Sequence, residues 1–296
     1  SIQSNEGGKR VSIGYNGLGN NGRLGNQMFQ YAALRGIAAH RGFDFMFPPP
    51  YRSVDNYAIH DCFRLTNVAD RNIGFHPSEQ YAQEGQFHFN ENLYENVPDG
   101  VNLYGFYQTM KYWQDIENDI RQDFEFKKGI LEPCKEMMES FDERPIMLHV
   151  RRGDPNLADK RGFKWAYVNL QDQHPAQTLE YYEEALKQFP ENVPVIVFSD
   201  SIDWCKEQEF FSDDRFNFSE STDKHEDGAL VPFVDLCLMS LCDGGITANS
   251  SLSWWGGFLQ QNRTRTLVSP VNWFGPAYAN HDTKDLIPEG RDWIRL

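Results

Sequence analysis

The chain has 296 residues, 40% hydrophobic and 14% aromatic, enough for substantial cores and for two domains of ordinary size. Its 28 basic and 43 acidic residues leave a net charge of −15, which excludes nucleic acid and anionic membrane as main partners. No run of about 18 uncharged apolar residues occurs, so no membrane span is predicted.

The first ten residues, SIQSNEGGKR, lack an apolar h-region and read as a tag remnant or trimmed end. KRVSIGYNG (9–17) predicts a strand, NQMFQYAALRGIAAHRG (26–42) an amphipathic helix, and FDFMF (43–47) a second strand closed by three prolines. Between the first strand and the helix, Gly17, Gly19 and Gly22 fit G-x-G-x-x-G, which makes an NAD-dependent oxidoreductase one reading. Two features count against it. Arg23, Leu24 and Gly25 intervene before a helix expected to start near Asn26, and the second strand has Asp44 near its beginning but no acid at its end. A glycine-rich turn serving chain geometry fits as well, as does a phosphate or sugar approaching the amides ahead of the helix. Residues 51–110, rich in aromatics and Asn, show no clear pattern.

At 145–155 the run PIMLHVRRGDP ends an apolar strand on two arginines, a glycine and an aspartate. Strand alternation sends His149 and Arg151 to one face and Val150 and Arg152 to the other. Such charges at the carboxyl edge of a parallel sheet suit an anion, and a guanidinium suits phosphate. An ordinary loop in which the arginines pair with Asp154, Asp159 and Asp172 is the alternative. Residues 156–177 form a long connection whose Trp165, Tyr167 and His174 are candidates to meet an acceptor.

Onward, TLEYYEEALKQF (178–189) predicts a helix, VPVIVFSD (193–200) a strand, SIDWCKEQEF (201–210) a helix and RFNFSES (215–221) a short strand. ALVPFVDLCLMSLC (229–242) predicts a helix, GGITAN (244–249) a strand, SLSWWGGFLQQ (251–261) a helix and RTLVSP (265–270) a strand. Repeated βα units mean a parallel sheet covered on both faces. The expected fold is α/β, two Rossmann-like domains facing across a cleft, divided at 1–142 and 143–296, with the last residues packing back on the first domain.

Asp235 has Val231, Leu238 and Met239 at helical spacing, so its carboxylate sits within or beside an apolar stripe and needs a partner. It reads either as a capping or salt-bridged residue or as an acceptor for paired N–H donors such as the guanine edge. Asn249 and Ser250 are good N-cap types, and a helix starting near Ser251 turns free amides toward the crevice. Trp254 and Trp255 read as packing. Five cysteines without C-x-x-C indicate neither a disulfide framework nor a zinc site, and a cytoplasmic location is expected. N-x-S/T triplets at Asn217, Asn249 and Asn262 carry meaning only on a secreted surface. No D-x-D pair occurs to hold a divalent cation on a diphosphate, so no metal or other cofactor is expected.

HVRRGD (149–154), GRLGNQMFQYA (22–32), FSDSIDWC (198–205) and DLCLMSLCDGGITANSSLSWWG (235–256), in this order, resemble the family eleven glycosyltransferases, the α1,2-fucosyltransferases. TLEYYEEAL (178–186) is also similar, whereas residues 51–140 match no family motif and Pro155 stands where an aromatic residue often follows the motif. The resemblance implies a GT-B fold, GDP-fucose held mainly by the C-terminal domain, a galactose-containing glycan acceptor, and inversion at the anomeric carbon. It gives Arg151, with Ser250 and Ser251, the leaving phosphate. Arg152 and Asn249 support the donor, Asp235 selects guanine, and Gly25 and Asn26 approach the donor's phosphate or sugar. His149 and Asp154 are both candidate bases. A non-catalytic GDP-sugar-binding module is the remaining alternative.

Overall fold

The computed structural model describes residues 12–20, 22–50, 57–69, 81–83, 87–158, 167–220, 232–289 and 293–296. It divides into two compact units, one ending at Lys127 and taking back Asp282–Pro288, the other comprising Lys128–His281 and Glu289–Leu296.

In the first unit the elements run β1 (Ser12–Gly14), α1 (Leu24–Arg41), β2 (Asp44–Met46), α2 (Ile59–Cys62), β3 (Tyr81–Gln83), α3 (Glu91–Asn96), β4 (Asn102–Tyr104) and α4 (Glu117–Asp123). The strands form a parallel sheet in the order β2-β1-β4-β3. Helix α1 starts at Leu24, two residues before the expected Asn26, and stops where Gly42 takes φ 69° and its N–H bonds the Ala39 carbonyl. Its buried Tyr31 packs edge-on to Phe47 at 5.2 Å and donates its hydroxyl to Asp123 at 2.7 Å, which also pairs with Arg35. The chain leaves β1 toward β2 and later returns to β1's other side as β4, so the carboxyl ends of β1 and β4 flank a topological switch point.

The second unit contains α5 (Lys128–Met138), β5 (Ile146–Val150), α6 (Leu179–Leu186), β6 (Val195–Ser199), α7 (Ile202–Glu207), β7 (Phe216–Phe218), α8 (Phe233–Leu241), β8 (Gly245–Ile246), α9 (Ser251–Phe258), β9 (Leu267–Ser269) and β10 (Trp293–Arg295). All six strands are parallel, in the order β10-β9-β8-β5-β6-β7. β5 and β6 are continuous buried runs, IMLHV and VIVFS, because helices cover both faces. On one face Leu148, Val150, Val195 and Val197 pack with Tyr181, Tyr182 and Cys205 of α6 and α7. On the other, a side chain at Gly257 of α9 would meet Leu267 and Met147, which shows how closely that helix lies on the sheet. Helix α5 packs on α8, bringing Cys134 Sγ within 4.0 Å of the Val234 carbonyl, and this contact puts the division at Lys128. β10, absent from the predicted elements, pairs in register with β9 and closes that edge of the sheet.

Candidate active site

β5 lies between β6 and β8, and the chain leaves it toward β6 while β8 enters from the opposite side. The loops after β5 and β8 therefore diverge, and open α/β sheets bind ligands at that crevice. Arg151 and Arg152 follow β5, Asp200 follows β6, and Asn249, Ser250 and Ser251 follow β8. One sheet edge thus collects every second-unit residue that the sequence assigned to phosphate.

The loop after β5 is built around Asp200. Its Oδ1 accepts the Arg152 amide at 3.1 Å, and its Oδ2 accepts the Gly153 amide at 2.9 Å and Arg151 Nη1 at 3.0 Å. The alternative pairing of the arginines with Asp154 and Asp172 is not seen; the Arg151 side chain pairs with Asp200 instead, because Asp200 is the carboxylate at the end of the adjacent strand. Asp159 lies outside the described residues. Ser199 Oγ donates to the Val150 carbonyl at 2.7 Å, and Ser201 Oγ to the Gly153 carbonyl. Gly153 takes φ +90°, and a Cβ there would stand 2.1 Å from Val168 N, so only glycine closes this turn.

The two arginines have different companions. The Arg151 guanidinium lies over the Tyr167 ring at 4.2 Å, and Tyr167 stacks in turn on His174 at 4.6 Å and 6°. Arg152 lies over Trp204 of α7 at 3.9 Å, on the face where Val150 packs. Alternation along β5 separates them, and each stack restricts a guanidinium that would otherwise be free to rotate. Burial, reinforced by Arg151, holds the His174 pKa down at about 4.

His149 is only 3% exposed, and its Nδ1 has no hydrogen-bond partner among the described residues. Burial first, and Arg151 second, push its pKa down to about 3, so the ring is neutral at physiological pH. Asp154 is buried at the start of a 3₁₀ turn, where Oδ1 caps Asn156 N at 2.9 Å.

Asp235 stands in the first turn of α8, where Ser219, just past β7, donates its hydroxyl to Oδ1 at 2.7 Å. Burial raises its pKa to about 6, and the Ser219 bond opposes this only in part. The expected apolar flank is present in the buried Leu238 and Met239, whereas Val231 lies outside the described residues. From β5 to β7 is two strand spacings, roughly 10 Å, the scale of a diphosphate joined to a nucleoside.

At α9 the cap is Ser250, whose Oγ accepts Leu252 N at 3.2 Å, leaving the first amides of the helix directed at the sheet edge. Asn249 Nδ2 donates to the Pro175 and Trp273 carbonyls at 3.1 and 3.0 Å, while its buried Oδ1 has no partner among the described residues. Trp254 and Trp255 are buried, 4.9 Å apart edge to face, as packing requires.

In the first unit, Gly25 is buried in the opening turn of α1 and the half-buried Asn26 accepts Gln108 Nε2 on its Oδ1 at 2.7 Å. Gly22 takes φ +103°, and a Cβ there would meet Asn26 Nδ2 at 2.6 Å. Trp165 lies outside the described residues.

The sequence model of glycosyl transferase family 11 matches residues 5–285. The chain belongs to this family. It is 28% identical to an α-1,2-colitosyltransferase of Escherichia coli, over 93% of this chain and 96% of the relative. It is 24% identical to galactoside α-(1,2)-fucosyltransferase 2 of Bos taurus, over 84% and 70%. Among solved structures it resembles the fucosyltransferase NodZ from Bradyrhizobium, with a TM-score of 0.53 at 12% identity over 85% of this chain and 94% of that one. POFUT1 in complex with GDP gives a TM-score of 0.50 at 13% identity over 88% and 97%. These likenesses show an α/β fold of GT-B type with parallel sheets.

Family 11 membership displaces the oxidoreductase reading of Gly17, Gly19 and Gly22. Helix α1 nonetheless opens two residues past Gly22, nearer to the dinucleotide pattern than the sequence suggested. Among the described residues of this family 11 chain, no helix is long and apolar enough to cross a membrane. Nor, among them, is any group of three or more His, Cys, Asp or Glu placed to hold a metal ion. In the sequence Asp200 and Trp204 stood only within the FSDSIDWC run, and Ser219 and Gln108 were passed over. A carboxylate at a strand end was the one signal available for Asp200.

Proposed function

We propose that this chain is an inverting, metal-independent fucosyltransferase that moves L-fucose from GDP-β-L-fucose to a hydroxyl, O2 of a terminal galactoside, on a glycan acceptor. The observation that carries this reading is Arg151 at the β5/β8 switch point, fixed between Asp200 and Tyr167. As the acceptor oxygen bonds to the anomeric carbon, the bond to the β-phosphate oxygen breaks and negative charge gathers on GDP. Arg151 meets that charge, with Ser250, Ser251 and the α9 amides beside it and Arg152 and Asn249 in support. These cationic and amide groups do the work a divalent ion does elsewhere. Asp235 accepts the guanine N–H edge, and Gly25 and Asn26 stay in the donor-binding set. Trp165, Tyr167 and His174 remain the proposed acceptor contacts.

Of the two candidate bases, Asp154 suits the role better. Its second carboxylate oxygen has no partner among the described residues, whereas the His149 ring is only 3% exposed, and burial with Arg151 beside it weakens it as a proton acceptor. The five cysteines are free and buried, which suits the expected cytoplasmic compartment. The test is transfer from GDP-fucose, with GDP-mannose as control, to a panel of galactosides read by mass. Transfer to a galactoside with EDTA present supports the reading, GDP binding without turnover favours the sugar-nucleotide module, and no binding of either nucleotide overturns it.

A further inference from the structure

We infer that Asn26 and Gln108 together bind one hydroxyl of a substrate sugar, with Gln108 holding the Asn26 amide in orientation. The inference rests on the glycosyltransferase reading above.

Both residues stand at the switch point of the first-unit sheet, Asn26 beyond β1 in the opening turn of α1 and Gln108 beyond β4. Gln108 is 7% exposed, yet the only partner of its side chain among the described residues is Asn26 Oδ1, at 2.7 Å. Its Oε1 and Asn26 Nδ2 have none among those residues, and neither is a sealed buried atom. Its backbone is held in an unusual path. Tyr107 takes φ +53°, rare for a bulky side chain, and Thr109 N bonds the Tyr107 carbonyl at 2.8 Å, closing a three-residue turn on Gln108. The Tyr107 ring, fully buried edge-on to Tyr15 and Tyr112, keeps it there. Gly22 lets the Asn26 amide lie against the turn, since a side chain there would collide with Nδ2.

The pair therefore presents one donor and one acceptor side by side. Flipping both amides exchanges the roles and still leaves one donor and one acceptor outward. A phosphate oxygen accepts only and is poorly matched to Gln108 Oε1. A sugar hydroxyl does both, accepting from Asn26 Nδ2 while donating to Gln108 Oε1. That decides for a sugar over a phosphate among the partners open to Asn26.

The test uses Gln108→Glu, Gln108→Leu and Asn26→Asp in the full chain. The two carboxylate variants are nearly isosteric and leave two acceptors facing a hydroxyl that can donate to one. Expected is a fall in kcat/KM of about tenfold or more in each variant, with GDP affinity by calorimetry within about twofold of the parent. If the loss lies in the KM for GDP-fucose and in its hydrolysis without acceptor, the hydroxyl is the donor's; if it lies in the acceptor KM, it is the acceptor's. GDP affinity falling in step with transfer overturns the inference in favour of phosphate, and parental kcat/KM in the Glu and Leu variants overturns it outright. A parent chain that neither binds GDP nor consumes GDP-fucose overturns the glycosyltransferase reading itself, and this inference with it.

Discussion

Asp200 takes Arg151 Nη1 at 3.0 Å while its two oxygens also accept the amides of Arg152 and Gly153. One carboxylate thus orients the cation and holds the backbone that carries it. In a chain with a net charge of −15, an arginine at a binding edge needs such local fixing, because the surrounding field does not gather anions.

Replacing Arg151 by Ala is expected to lower transfer by a factor of about 10²–10³, the usual cost of one charged donor to a developing anion. Arg151→Lys is also expected to lose most activity, since an ammonium cannot both pair with Asp200 and lie flat on Tyr167. Steady-state kinetics beside thermal melts check this. Near-parental turnover in the Ala variant sinks the phosphate role.

Asp200→Ala leaves two amides and a guanidinium without their acceptor, and stability should fall by about 2–4 kcal/mol. Asp200→Asn keeps the shape and one acceptor, so it should fall in between while still losing activity. Urea denaturation separates the two variants. Equal stability of all three proteins contradicts the role given to this carboxylate.

Asp235 has its pKa raised to about 6 from an ordinary 3.8, so the folded protein binds the extra proton between those values and stability from this group falls as pH rises through them. Asp235→Asn should therefore gain about 1–3 kcal/mol at pH 7 and nothing at pH 4. The carboxylate is worth keeping only if a ligand needs it ionised. GDP affinity should weaken as pH drops below about 6 in the parent and be weak and flat in the variant. Calorimetry across pH 5–8 decides, and a pH-independent parent refutes the guanine contact.

His149 shifts the opposite way. With its pKa near 3 in the folded state and 6.5 as the ordinary value, the unfolded chain binds the proton first, so stability is lost as pH falls below about 6.5. His149→Gln should flatten the acid limb of a melting-temperature profile. An unchanged limb would mean that the ring is not held neutral by burial.

Gly153→Ala should cost more than 2 kcal/mol and impair transfer together, because φ +90° and a Cβ 2.1 Å from Val168 N oppose the same turn. Gly129, where a Cβ meets nothing within 4 Å, serves as the control and should tolerate Ala. Comparable melts for the two variants would show the turn to be adaptable.

From the sequence alone came the βα alternation, the strand ending at Arg151 and the Ser250 cap ahead of α9. Each depends on residues a few positions apart, whose hydrophobic period or capping chemistry acts locally. The family motifs were legible for the same reason, as short contiguous runs. Asp200 as the partner of Arg151, the stack of Tyr167 on that guanidinium, the stack of Trp204 on Arg152 and the pairing of Gln108 with Asn26 were not. Asn26 and Gln108 stand 82 residues apart, and no local pattern encodes which strand ends become neighbours. That order is set when parallel strands pair across the sheet, and only the tertiary structure decided which carboxylate, ring or amide would meet each residue the motifs had marked.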